Sequence, residues 1–169
     1  MDSNKSKKLI VIGSDHGGFK LKQHLIKYIE AKDELELLDL GTNSFESCDF
    51  PDYAERVCLE VLKNEDNRGI IICGSGIGIS IAANKVPGIR CALVHDQLTT
   101  RLAKENTNCN VIAMGERIIG TSQAETIVDT FITTEFIRAQ NYLRRLEKLT
   151  ELELKHGGKL EKNKNSVNQ

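Results

Sequence analysis

The chain alternates short, uninterrupted apolar runs with segments in which apolar residues recur every three or four positions. The first pattern has the length of a strand, and the second has the period of an amphipathic helix. Their regular alternation is typical of βαβ units, which build a parallel sheet covered by helices. The strands are predicted at positions 9–13, 35–40, 69–73, 91–94 and 111–114. The sequence therefore predicts an α/β fold with a five-stranded parallel sheet.

Helices are predicted between and after these strands, at positions 19–31, from 51 onward, at 79–84, 97–104 and 122–133, and from 135 to about 155. Pro51 suits the first turn of the second helix. The side chains of that helix that are expected to face the core are Ala54, Val57, Val61 and Leu62. The third strand is apolar throughout, so we expect it to be buried on both faces of the sheet.

No internal repeat or low-complexity linker divides positions 1–155, which are expected to form a single domain. Positions 156–169 read HGGKLEKNKNSVNQ, with two adjacent glycines and almost no apolar side chains. Such a composition cannot bury enough apolar surface to offset the entropy of ordering the chain. A disordered C-terminal tail is therefore predicted.

The composition excludes several classes of protein. The 169 residues suffice for a core without metal or disulfide support, and a net charge of −1 gives no footprint for nucleic acid. The first apolar run ends at Asp15 and His16, too soon for a signal peptide or a membrane span. Five cysteines without a CxxC pair argue against a disulfide framework and a zinc site. We expect a cytoplasmic protein with reduced thiols.

Polar or glycine-rich segments lie close to three of the predicted strands. Residues 14–18 follow the first strand, residues 73–78 follow the third, and residues 106–108 lie near the fifth. Ligands of an open parallel sheet bind beyond the carboxyl ends of its strands. We therefore expect these segments to meet in one cleft.

The segment that begins at Cys73 carries the most chemical information. Glycines at 74, 76 and 78 let backbone amides turn toward one point and form an anion-binding concavity. The Lys and Ser/Thr of a nucleotide P-loop are missing, and so is the dinucleotide spacing. Amides and a helix start beside Cys73 would stabilise its thiolate as a base or nucleophile. From position alone, a merely packed cysteine is an equally good interpretation.

Asp15 and His16 come directly after the first strand, from which they can reach the same cleft as ligands of sugar hydroxyls and of phosphate. A helix-capping aspartate and a structural histidine are the alternatives. On the last predicted helix, Arg138, Arg144 and Arg145 are interspersed with glutamates, a pattern typical of a solvated face with ion pairs.

Four segments, GSDHGG, FPDYA, IICGSGIGISIAANKVPGIRCALVHD and NVIAMGERIIG, resemble the type B ribose-5-phosphate isomerases. The wider family includes galactose-6-phosphate and allose-6-phosphate isomerases, and the resemblance covers about positions 8 to 150. It implies a Rossmann-like three-layer α/β/α sandwich and a homodimer, sometimes a tetramer, with active sites shared between subunits. It also implies no metal or organic cofactor. The implied reaction, from the pentose phosphate pathway, interconverts ribose 5-phosphate and ribulose 5-phosphate through a cis-enediol.

The matched positions assign the proton transfer. Cys73 would be the general base, and Ile79 stands where other family members carry a glutamate instead. Ser75 would hydrogen-bond the reacting oxygens. The backbone amides implied to stabilise the enediolate are those of Gly74, Gly76, Ile77 and Gly78.

Substrate binding follows from the same match. Asp15 would hold sugar hydroxyls, and His16 would hold the phosphate. The arginines that match phosphate ligands are Arg117 and Arg145.

Three departures from the family pattern affect ring opening and phosphate binding. Relatives usually read HND, with a histidine that opens the ring, where this chain has Asn106, Thr107 and Asn108. An amide cannot act as a general acid or base near neutral pH. Asn141 replaces the first arginine of RHxRR, and Phe50 replaces a common tyrosine.

These departures leave alternatives open. His16 or His95 could open the ring, or opening could be spontaneous, and Arg138 could replace the missing phosphate charge. The substrate could be a hexose 6-phosphate, namely allose or galactose 6-phosphate. The third alternative is a non-catalytic protein that binds sugar phosphates.

Overall fold

A five-stranded sheet forms the centre of the computed structural model, which describes residues 7–157. All neighbouring strands are parallel, in the order β2-β1-β3-β5-β4. The strands are β1 (Lys8–Ser14), β2 (Leu35–Asp39), β3 (Arg68–Cys73), β4 (Cys91–Leu93) and β5 (Val111–Gly115). The predicted strands are confirmed, with bounds that differ by at most one residue.

Six helices and one 3₁₀ turn, His16–Gly18, complete the described chain. The helices are α1 (Phe19–Glu30), α2 (Phe50–Val61), α3 (Ile77–Ala83), α4 (Gln97–Thr107), α5 (Thr121–Thr133) and α6 (Gln140–His156). The predicted start of the last helix at position 135 is wrong. Thr134 and Ala139 have extended backbone, and the Ile137 N–H donates to the Glu105 carbonyl oxygen at 3.1 Å. A partner on α4 thus replaces the helical hydrogen bond there.

Alternate residues of the central strands point into two separate cores. Ile10, Ile12, Ile70 and Ile72 pack against α1 and α5 on one face, whereas Val11 and Ile71 pack against α2 and α3 on the other. The prediction that β3 is buried on both faces is confirmed. The fold is the expected Rossmann-like three-layer α/β/α sandwich.

One predicted core residue, Leu62, lies outside the core. Its side chain is 42% exposed, while Ala54, Val57 and Val61 are buried as predicted. The helix ends at Val61, and Leu62 is its C-cap. Its backbone is still helical, and its side chain lies beside Gly88, where an added Cβ would come within 3.1 Å of Leu62 Cδ2.

The chain reverses its direction across the sheet between β1 and β3. From β1 it passes to β2 on one side, and it then returns to β3 on the other side. Such a switch point opens a crevice beyond the carboxyl ends of the two strands. The segments that follow Ser14 and Cys73 therefore border the same crevice.

The chain divides into two compact units between Ile137 and Arg138, and α6 belongs to the second. His156 ends α6, and positions 158–169 of the predicted tail lie outside the described residues. No helix within residues 7–157 has the length and apolar character that crossing a membrane requires.

Candidate active site at the carboxyl ends of β1 and β3

Cys73 ends β3 and is buried, with 5% of the residue exposed. The Gly76 N–H donates a hydrogen bond to Cys73 Sγ, with 3.1 Å between nitrogen and sulfur. A peptide donor aimed at sulfur can stabilise the negative charge that the sulfur carries whenever it acts as a base. Cys73 also packs in the core beside α2 and α3. Packing and a chemical role are therefore compatible for this cysteine, because the packed sulfur also has the Gly76 N–H as a hydrogen-bond donor.

The loop that follows Cys73 requires glycine for geometric reasons. Gly76 has a φ of 78°, and an added Cβ would lie 2.6 Å from Leu93 Cδ1 and 2.8 Å from the Met114 carbonyl carbon. At Gly78, an added Cβ would lie 2.9 Å from Phe50 Cζ. Glycine thus lets the loop pass close to β5 and aim an amide at the sulfur.

The amides of this loop do not all point to one external anion. Gly76 N–H is used by Cys73 Sγ, and Ile77 N–H donates to Ser75 Oγ at 3.2 Å. The side chain of Ile79, at the position of the alternative glutamate base, is fully buried. Cys73 is therefore the titratable side chain of this segment, residues 73–79.

Asp15 caps the 3₁₀ turn that follows β1. Its Oδ1 accepts hydrogen bonds from Gly17 N at 2.9 Å and Gly18 N at 3.2 Å, so the capping interpretation is confirmed. A Cβ added to Gly17 would lie 3.0 Å from Gly74 N. The segments after β1 and β3, expected to share a cleft, are in direct contact.

His16 is half-buried beside the loop between β2 and α2. Its Nδ1 accepts a hydrogen bond from the Cys48 backbone N–H at 3.2 Å, and Cys48 Sγ lies 3.8 Å from the same nitrogen. Sequence reasoning missed this role of Cys48. No motif could have shown it, because the donor is a backbone group.

Two neighbouring residues after β5 connect the site to its surroundings. Arg117 lies over Gly74, where an added Cβ would come within 3.2 Å of the guanidinium carbon, and Arg117 N–H donates to the Gly74 carbonyl oxygen at 3.0 Å. Glu116 Oε2 accepts from the Leu21 N–H at 2.8 Å. Glu116, which sequence reasoning missed, thus caps α1, whose own N-cap, Gly18, has no side chain.

Replacing Glu116 with alanine is expected to lower the free energy of unfolding by about 1–2 kcal/mol, because the Leu21 N–H loses its acceptor. The matched variant Glu116→Gln keeps an acceptor oxygen and should lose less than half as much. Urea unfolding of the two variants measures the difference. Equal losses would contradict the capping role.

The structure corrects the expected position of Asn106, Thr107 and Asn108. The first two lie in the last turn of α4, and Asn108 is its C-cap, so all three precede β5 instead of following a strand. They lie near its amino end, whereas Cys73 pairs with its carboxyl end at Gly115. At about 3.3 Å per residue, five-residue β5 separates the two edges by about 13 Å. Within one chain these residues do not reach Cys73.

Lys104 supports the end of α4 from a buried position. Its Nζ donates to Asn108 Oδ1 at 2.8 Å and to the Cys109 carbonyl oxygen at 3.4 Å. Burial lowers the pKa of Lys104 from 10.5 to about 8. The turn that carries Asn106 is therefore held by an amine that can lose its charge in mildly alkaline solution.

This lowered pKa predicts a pH dependence of stability. Above pH 8 the folded chain releases the Lys104 proton while the unfolded chain keeps it until about 10.5, so the contribution of Lys104 to the free energy of unfolding rises with pH in that window. The slope should be smaller in Lys104→Met than in wild type, and unchanged in the exposed control Lys27→Met. Urea unfolding at several pH values across the window measures it. Parallel slopes in wild type and Lys104→Met would contradict the lowered pKa.

The remaining predicted residues lie on α6, just before it, or just after β4. Asn141 and Arg145 are exposed on the first turns of α6, in the second unit, and Arg145 lies over the ring of Tyr142 at 5.6 Å. Arg138, expected on that helix, precedes it. His95 is exposed just after β4. Within residues 7–157, no cluster of three or more His, Cys, Asp or Glu side chains could hold a metal ion.

Known proteins share this sequence and fold. Residues 10–149 match the model of the Ribose/Galactose Isomerase family. Ribose-5-phosphate isomerase B of Escherichia coli is 38% identical over 146 residues, which are 86% of this chain and 97% of that protein. A putative sugar phosphate isomerase, YwlF of Bacillus subtilis, is 42% identical over 148 residues, covering 87% of this chain and 98% of the relative.

Solved structures agree with these relatives. Ribose-5-phosphate isomerase B of Clostridium thermocellum is 43% identical with a TM-score of 0.83, over 87% of this chain and 98% of that one. The type B ribose 5-phosphate isomerase of Trypanosoma cruzi is 40% identical with a TM-score of 0.84, over 89% and 99% of the two chains.

Proposed function

This chain belongs to the ribose/galactose isomerase family, and on that premise we propose that it interconverts D-ribose 5-phosphate and D-ribulose 5-phosphate. Relatives of 36–42% identity bear the name ribose-5-phosphate isomerase B or putative sugar phosphate isomerase. The observation that carries the proposal is the hydrogen bond from the Gly76 N–H to the Cys73 sulfur, at the switch point of the sheet. The reaction is an aldose–ketose isomerisation through a cis-enediol.

In the proposed mechanism Cys73 is the base that moves the proton. Its thiolate takes the proton from C2 of the open-chain aldose and returns it to C1, while the proton of the C2 hydroxyl passes to O1. The Gly76 amide donates to the sulfur and stabilises it as the thiolate before the proton is taken and after it is returned. This proton transfer requires no metal or organic cofactor.

The enediolate oxygens require donors close to Cys73. Since Gly76 and Ile77 use their amides within the loop, the amides left for the enediolate are those of Gly74, Ser75 and Gly78. Ser75 Oγ accepts from the Ile77 N–H, which turns its own hydroxyl hydrogen toward another acceptor. Ser75 is proposed to donate to the reacting oxygens.

The substrate is proposed to lie across the crevice between residues 14–18, which follow β1, and residues 73–78, which follow β3. Asp15 Oδ1 is engaged by two amides, so Oδ2 is the oxygen assigned to the sugar hydroxyls. His16 and Arg117 are assigned to the phosphate. Three further residues, Thr107, Asn141 and Arg145, stand at positions that the family match implies to lie near the substrate.

A homodimer with shared sites explains two features of the single chain. Asn106 lies near the amino ends of the strands and Cys73 at their carboxyl ends. An Asn106 that meets this thiol would therefore come from another subunit. Beside the Cys73 loop, Ile77 and Ile81 expose 54% and 56% of their side chains one turn apart on α3, next to a cleft of about 520 Å³ between α2 and α3. Such an apolar surface is suited to a protein interface.

The second unit offers a further apolar surface. None of the residues of α6 is buried, although the helix carries Leu143, Leu146, Leu149, Leu152 and Leu154. A helix with this many unburied leucines is typical of one that packs against a partner. The proposed dimer, or a tetramer built from it, would supply that partner.

Mixed dimers test whether the sites are shared. Cys73→Ala and Asn106→Arg should each be inactive alone, because one lacks the base and the other blocks the partner's crevice. If both chains are coexpressed, a mixed dimer has one intact site, and random assortment restores roughly a quarter of wild-type activity. A mixture as inactive as its components would refute sharing. Sedimentation of the wild type checks the dimer itself.

A coupled assay on purified protein tests the substrate. We expect turnover of ribose 5-phosphate with a higher kcat/KM than that of allose 6-phosphate or galactose 6-phosphate. A preference for either hexose phosphate would change the proposed substrate, and the absence of turnover on all three would refute the enzymatic proposal. The five cysteines are free, which supports the proposal that the protein works in the reducing cytoplasm; cell fractionation checks the location.

A further inference from the structure

We propose that the backbone N–H of Cys48 fixes His16 in the tautomer with its proton on Nε2. His16 then serves the substrate as a hydrogen-bond donor and cannot be the base that opens the sugar ring. The role toward substrate rests on the proposed function, whereas the tautomer is a property of the free protein. Cys48 is therefore a positioning residue that acts through its main chain.

The tautomer follows from the chemistry of the donor. The Cys48 nitrogen lies 3.2 Å from His16 Nδ1, and a backbone N–H can donate but cannot accept. Nδ1 must therefore present its lone pair, so the single proton of the neutral ring lies on Nε2. The Cys48 thiol, 3.8 Å from the same nitrogen, is a weak acceptor or donor that cannot displace the amide.

The loop that carries this donor is tied to the rest of the fold. Thr42 N–H donates to the Ser14 carbonyl oxygen at 2.9 Å, and Gly41 N–H donates to Asp39 Oδ1 at 2.9 Å. Asp39 in turn pairs with the fully buried amine of Lys22.

An aromatic contact holds the middle of the same loop. The ring of Phe45 meets the ring of Phe19 edge to face, with centroids 4.8 Å apart. Phe19 is the first residue of α1 and follows His16 closely in the chain. The contact therefore ties the loop to the segment that carries His16. The amide of Cys48 is thus positioned by the fold and is available before any substrate binds.

The consequence for catalysis concerns ring opening. A ring-opening base must accept the proton of the anomeric hydroxyl, and His16 in this state has its acceptor nitrogen occupied. Its Nε2–H suits a phosphate oxygen, which needs a donor. Of the two histidines considered for ring opening, only His95 then stays eligible beside the spontaneous reaction.

Nitrogen NMR of the ¹⁵N-histidine-labelled wild type tests the tautomer directly. We expect an unprotonated Nδ1 and a protonated Nε2 in the neutral ring of His16, with the signal assigned by its loss in His16→Gln. A protonated Nδ1, or averaged shifts typical of two exchanging tautomers, would overturn the inference. This measurement does not depend on any enzymatic activity.

Two substitutions at one position isolate the amide. Cys48→Pro has no N–H, whereas Cys48→Ala keeps the donor and lacks only the thiol. We expect the alanine variant to keep the wild-type tautomer and the proline variant to lose it. The KM for ribose 5-phosphate should be about fivefold higher in the proline variant than in the alanine variant, equivalent to one hydrogen bond, with a smaller change in kcat.

The outcomes separate this inference from the proposed function. If the protein does not turn over ribose 5-phosphate but shows the expected tautomer, the proposed function fails and the role of Cys48 stands. If the enzyme is active and Nδ1 is protonated, the inference alone fails. If Cys48→Pro does not fold, as circular dichroism would show, the NMR result on the wild type decides.

Discussion

Replacing Cys73 with alanine is expected to lower kcat for ribose 5-phosphate by about 10²–10⁴-fold, the usual contribution of a positioned general base. Its Sγ is the base of the proposed proton transfer and already receives the Gly76 N–H at 3.1 Å. Exchange of the C2 proton with solvent should stop in the same variant. Both quantities are measurable, by coupled turnover and by NMR of the substrate in heavy water.

A matched control separates chemistry from the general loss of a thiol. Cys91 is a partly exposed cysteine on β4, and Cys91→Ala should keep wild-type turnover. Cys73→Ala should also bind a non-reacting sugar phosphate with nearly wild-type affinity, because the phosphate ligands are other residues. Full turnover by Cys73→Ala would refute its role as the base.

Replacing Gly76 with alanine is expected to destabilise the protein by about 2–4 kcal/mol, the sum of a strained positive φ and local overpacking. Its φ is 78°, and the new Cβ would lie 2.8 Å from the Met114 carbonyl carbon. That atom belongs to β5, so it cannot move without disturbing the sheet. Activity should fall too, since the amide that serves Cys73 Sγ shifts with the loop.

Gly120 provides the control for this substitution. It has a φ of −80°, and an added Cβ would have no atom within 4 Å. Because Gly120 is the N-cap of α5, where alanine is less favourable than glycine, Gly120→Ala should lower the free energy of unfolding by no more than about 1 kcal/mol. Urea unfolding of both variants measures the difference. A similar small effect at Gly76 would mean that the loop can take another path.

The secondary structure was predictable because it depends on a local pattern. Strands and helices bury one face or both, and the period of apolar residues records which positions are buried. The errors occur at element ends, where partners distant in sequence decide. The core position predicted for Leu62 is wrong because its side chain lies beside Gly88, and the predicted start of α6 is wrong because the Ile137 N–H donates to the Glu105 carbonyl oxygen.

The candidate site divides in the same way. Cys73 and its glycines stand in one continuous segment, so the sequence alone determined the glycine-rich loop, its thiol and, through resemblance, the family. The tertiary structure decided what lies around them. Glu116 caps α1, the Cys48 amide donates to His16, and Asn106 lies near the amino end of β5, away from Cys73. These contacts join segments separated by many residues or use backbone groups, and neither leaves a mark in the local pattern. They depend on the order of the strands in the sheet, because that order decides which loops lie next to each other.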